Sequence, residues 1–110
     1  MLNRDSIFAS PDMPSETVHI PEWGGDVVVR GLTAAQRDSY EQSMLDKDQQ
    51  PDLTNARAKL VVLCTVDDMG TPIFSDTDAE EIGKKSAAAV QRIVAVAQRL
   101  SGMAEAPEKK

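Results

Sequence analysis

Residues 17–41, TVHIPEWGGDVVVRGLTAAQRDSYE, decide how this chain folds. Val18 and Ile20 alternate with Thr17 and His19, the period-two pattern of a strand with one face buried. Pro21 has no N–H to give to a ladder and ends that run. Glu22-Trp23-Gly24-Gly25 then supplies two glycines for a reversal wherever φ must be positive. From Asp26 to Arg30, three consecutive valines, stiff at χ1, favour a second strand. Gly31 breaks it. Thr33-Ala-Ala-Gln36 matches the capping box, in which two side chains three residues apart each accept the other residue's backbone N–H. The stretch predicts a β-hairpin that feeds directly into a helix.

On the N-terminal side, residues 1–16 set Ile7, Phe8 and Met13 among Ser, Asp and two prolines. Pro11 and Pro14 bar a long helix, so this stretch reads as a partly ordered arm, its Ile7-Phe8 pair either docked on the domain or free. On the C-terminal side, the helix opened by Thr33 runs from Ala34 to about Leu45, with sparse apolar residues and a solvated face of Arg37, Asp38, Glu41 and Gln42. Asp46 to Asp52 is a polar loop. A second helix is expected from Leu53 or Thr54 to about Val66, apolar over so much of its circumference that it belongs at the centre. Its β-branched residues leave a buried strand from Lys59 to Val66 as the alternative.

Asp67 to Pro72 reads as a turn and Ile73-Phe74 as a short extended segment. Ser75 to Asp78 offers caps for a brief helix through Glu80, Glu81 and Ile82, stopped by Gly83. The last helix starts at Ser86, carries Val90, Ile93, Val94, Ala97 and Leu100 on one face, and ends at Gly102. Residues 103–110 read as a disordered tail. The expected fold class is α+β, mainly helical: an N-terminal β-hairpin packed with a bundle of three to four α-helices, in one compact domain over 17–102.

Composition narrows the function. A net charge of −6 opposes binding to phosphate backbones, and the longest basic runs are only Lys84-Lys85 and Lys109-Lys110, so no nucleic-acid partner is expected. Aromatic residues are 4% of the chain, which leaves a thin aliphatic core and room for self-association. Cys64 is the only cysteine and lies in an apolar run, where a buried, inert thiol is the expected reading. No run approaches the roughly 18 apolar residues of a membrane span, and no apolar signal core follows Met1, so the expectation is a cytosolic chain without membrane contact.

A search for chemistry returns little. His19, the only histidine, sits in a strand without a nucleophile elbow nearby. The spacing before Gly70 fails the calcium-loop pattern, and Asp76, Asp78 and Glu81 read as helix caps. Gly24-Gly25 is too short to cradle phosphates. No catalytic, metal or cofactor-binding residue is expected, and no cofactor. Trp23 is the odd residue: a lone tryptophan at a turn, either a lid over the core or an exposed anchor for a partner.

The wider pattern carries further. Ile7-Phe8-Ala9, Glu16-Thr-Val, and the run from Ile20-Pro-Glu-Trp-Gly-Gly to Val29-Arg30-Gly-Leu-Thr resemble tail assembly chaperones of long-tailed, siphovirus-type bacteriophages. So do Gly70 to Phe74 leading into Ser75-Asp-Thr-Asp, Lys85-Ser86-Ala87, and the helix end Arg99-Leu100-Ser101-Gly102. The resemblance spans residues 5–103. It implies a non-catalytic protein of the host cell cytoplasm, absent from the mature virion, that coats the tape measure protein. It further implies tail tube protein as a partner, through a C-terminal extension made by ribosomal frameshifting. The family has no fixed binding motif to carry over, so the partner-binding candidates remain Trp23, Ile7 and Phe8. The alternative is a small structural virion protein, such as a tail completion or connector subunit.

Overall fold

The computed structural model describes residues 1–103. Its centre is the hairpin of β1 (Ser15–Ile20) and β2 (Gly25–Arg30), antiparallel, with Val18 opposite Val27 and Ile20 opposite Gly25. Pro21 to Trp23 forms one 3-10 turn, closed by Gly24 at φ 74°, whose N–H donates to the Ile20 carbonyl at 3.0 Å. Only Gly24 uses a positive φ; Gly25, expected to share that role, is already the first residue of β2.

The sheet has three strands, not two. β3 (Thr65–Val66) pairs antiparallel with the free edge of β2, Val28 opposite Val66 and Val29 opposite Thr65. The expected second helix, α3, spans Ala56–Cys64 and stops short of Val66 because Thr65 turns to an extended ψ of 122°. Both sequence readings of this segment therefore hold in part: helix to Cys64, strand beyond it. Two β-branched residues satisfy the backbone of β2 on one side while their side chains are almost fully buried. The start of α3 also differs, since Asn55 takes a left-handed φ of 57° and defers the helix to Ala56.

α2 (Ala34–Ser43) opens on the expected box: Thr33 Oγ1 accepts the Gln36 N–H at 3.1 Å, and Gln36 Oε1 accepts the Thr33 N–H at 2.9 Å. It ends two residues before Leu45, which instead bridges to Pro51. That bridge closes a loop with a twin elsewhere in the chain. Asp46 Oδ1 accepts the N–H groups of Asp48 and Gln50, and Asp67 Oδ1 those of Met69 and Thr71, all at 2.8–2.9 Å. In each loop the residue before the last takes a left-handed φ, 63° at Gln49 and 83° at Gly70.

The chain before β1 forms a short helix, α1 (Arg4–Ala9), and Ser15 and Glu16, assigned to the arm from sequence, belong to β1. After α4 (Ala79–Ile82), the long helix α5 (Ala87–Leu100) is capped by Ser86 and buries Ala89, Val90, Ile93, Val94 and Ala97 against α3 and both hairpin strands. Ile20, Val29, Leu60, Val61, Cys64 and Ile93 are at most 1% exposed and mark the core. The end of α5 is fastened to the end of the hairpin. Gly102, at φ 70°, and Met103 donate to the carbonyls of Arg99 and Gln98, the paired bonds of a Schellman cap. Ser101 Oγ accepts the Leu32 N–H at 2.8 Å. Met103, grouped with the tail in the sequence reading, packs half-buried on the core, and the rest of that tail lies outside the described residues.

Candidate functional site

Trp23 is held by the turn that carries it. Pro21 presets the 3-10 geometry, and the neighbouring Glu22 forms a two-pronged bond with Arg92 of α5, at 3.0 and 3.2 Å. The Arg92 guanidinium holds the Glu22 carboxyl below its ordinary range and is itself shifted upward. The indole is half-buried and packs against the core. Its remaining surface forms one wall of an open cleft of about 320 Å³, with Phe74 and Ile82 as apolar partners and Asp78, Glu81 and Lys85 around the mouth. Trp23 thus covers the core on one side and faces solvent on the other.

Ile7 and Phe8 lie elsewhere. They project from α1, 48% and 73% exposed, and neither borders the Trp23 cleft of its own chain. α1 is stabilised locally by a capping box between Asn3 and Ser6, and the Arg4 guanidinium stands 4.9 Å from the Phe8 ring centroid. The pair does not dock on the core.

Two grooves beside α2 were not foreseen. One runs between α2 and α5, floored by Tyr40, Met44, Val90 and Val94 and edged by the 67%-exposed Leu53. The other lies between α2 and α3, with Tyr40, Val62, Leu63 and Ala79 on its walls. Tyr40 is the only buried residue of α2, its hydroxyl donating to the Ala56 carbonyl at 3.3 Å. The signal was in the sequence: the sparse apolar residues of this helix mean that it cannot seal its neighbours. Met69 and Ile73 are also exposed, on the segment that precedes Phe74.

His19 is exposed on β1, its Nδ1 2.8 Å from Asp26 Oδ1, with no nucleophile in that pair. Burial pushes the Cys64 thiol up to about 12, so it carries no thiolate at neutral pH. The Asp78 carboxylate caps the Ser75 N–H at 2.9 Å, as its spacing implied. Among the described residues no group of three acidic, His or Cys side chains is placed to hold a metal ion, and no helix is long and apolar enough to cross a membrane.

The sequence profile of the family described as phage tail assembly chaperone matches residues 8–110. The chain belongs to that family. Membership makes tail proteins its class of partner. The tail assembly chaperone of bacteriophage HK97 shares the fold, with a TM-score of 0.62 and 22% sequence identity over 80% of this chain and 85% of that one. No curated protein matches the sequence.

Proposed function

We propose that this chaperone binds the tape measure protein of its phage, keeps it soluble until tail tube protein surrounds it, and helps recruit tube subunits. The observation that carries this reading is the family match over residues 8–110. The surface supports it: Leu53, Met69 and Ile73 are exposed, and open apolar grooves flank α2. Shallow apolar contacts of this kind, repeated along a long helical client, shield it without one tight site that would resist later displacement. The net charge of −6 keeps a coated complex dispersed.

The role is non-catalytic, is carried out in the host cytoplasm, and leaves no copy in the mature virion. Recruitment of tube subunits belongs to a longer product, made by frameshifting at an adenine-rich run encoding Lys109-Lys110. Codons AAG-AAG there, with no open frame beyond, exclude that product. Mass spectrometry of purified particles separates the chaperone from a structural subunit: the chain is absent in the first case and retained at fixed stoichiometry in the second.

A further inference from the structure

The groove between α2 and α5 differs from its neighbours in charge. It encloses about 590 Å³ over a floor that includes Val90 and Val94. Among the described residues, the charged side chains that line it are Arg57 and Lys85. The chain holds 18 acidic residues against 12 basic ones, yet no carboxylate borders this groove. The cleft at Trp23, by contrast, carries Asp78 and Glu81, and the groove between α2 and α3 carries Asp76. Neither cation is neutralised elsewhere. Arg57 Nε donates to the uncharged Gln91 Oε1 at 3.0 Å, and no ion pair among the described residues includes Arg57 or Lys85.

Shape narrows the occupant. Ala87, Val90, Gln91, Val94 and Gln98 line the groove at helical spacing along α5, a stripe of roughly 16 Å at about 1.5 Å per residue. No strand of the sheet contributes to the lining. An extended peptide there finds no edge to pair with, whereas a helix satisfies its own backbone. Met44, half-buried at the end of α2, is flexible enough to repack around an inserted side chain. Lys85 lies two residues before Ala87, and Arg57 is bonded to Gln91, so both charges gather at the N-terminal half of α5. The helix dipole is positive at that same end.

We infer that this groove takes an amphipathic helix whose apolar stripe is flanked at one end by carboxylates. Apolar side chains spaced three and four residues apart lie over Val90 and Val94, and the carboxylates face Arg57 and Lys85. The inference rests on the proposed client and selects among its segments: tape measure helices with acidic residues beside the apolar stripe are held here, and those with basic residues are not.

Overlapping peptides of about 20 residues, long enough to form a helix, test this when they cover the tape measure protein of the same phage. Each is titrated with the full chain at low salt and read by fluorescence anisotropy. Peptides with an apolar stripe and an acidic flank should bind. Arg57→Glu with Lys85→Glu should weaken them about tenfold, as two attractive pairs made repulsive do. Replacing the acidic residues of the peptide by lysine should restore binding to the reversed chain, which also shows that this chain is folded, and abolish binding to wild type. Lys47→Glu with Lys84→Glu makes the same change in net charge outside the groove and should leave affinity unaltered. Binding that the Arg57→Glu, Lys85→Glu chain retains in full, or that the control loses equally, overturns the inference, as does selection of peptides with basic flanks. If no peptide binds, co-expression assigns the failure: a tape measure protein still kept soluble overturns this site alone, and one left insoluble overturns the proposed function with it. A reversal that alters the mass of the chain alone, and not peptide binding, puts a second copy in the groove and overturns the inference equally.

Discussion

At Gly31 a β-carbon would stand 2.7 Å from the carbonyl oxygen of Leu100, inside any tolerable contact. From sequence this glycine reads as a strand breaker; its structural reason is the helix end packed upon it, invisible without the fold. Gly31→Ala should therefore cost about 1–3 kcal/mol, the usual penalty of overpacking, measured by urea unfolding. Ile93, by contrast, follows from periodicity alone and is fully buried, so Ile93→Ala should cost about 2–4 kcal/mol. Thr65 was unreadable in a different way. Its hydroxyl is buried and finds no partner among the described residues, in a segment whose sequence left helix and strand both open. Thr65→Val should raise stability by about 1 kcal/mol, since it removes an unpaired polar group while keeping the branched shape. Trp23 stayed ambiguous in the sequence; in the fold one side of the indole packs on the core and the other lines an open cleft.

Elements with local grammar were legible and elements made by distant pairing were not. The hairpin, the box at Thr33, the Ser86 cap and the end of α5 each depend on residues close in sequence. β3 depends on the edge of β2, some 36 residues earlier by the Val29–Thr65 pair, and two residues carry no periodicity to announce it. The twin Asp loops offer a comparison within one chain. Gly70 takes its left-handed φ freely, whereas Gln49 takes the same conformation with a β-carbon. Gln49→Gly should raise the unfolding free energy measured in urea by about 0.5–1 kcal/mol, and Gly70→Ala should lower it by a similar amount. No change at either loop would mean that the left-handed backbone is unstrained there.

Across the whole molecule, long-range ion pairs join α5 to the hairpin, Arg92 to Glu22 and Arg99 to Glu16, the latter at 2.7 Å. Glu22 sets a pH dependence. Its carboxyl titrates below its ordinary 4.5 in the folded chain, so the stability it lends is complete above that value and fades as pH falls through the lowered one. Glu22→Gln should thus differ most from wild type at about pH 7 and least at about pH 3, by urea unfolding at both. The acidic charge was readable from composition, and the family from short motifs. The clefts showed there only as the sparse apolar residues of α2, since each is assembled from segments separated in sequence. Co-expression with the tape measure protein of the same phage tests the central claim most directly. The tape measure protein should move from the insoluble to the soluble fraction and purify with several copies of this chain attached. A tape measure protein that stays as insoluble with the chain as without it contradicts the chaperone reading.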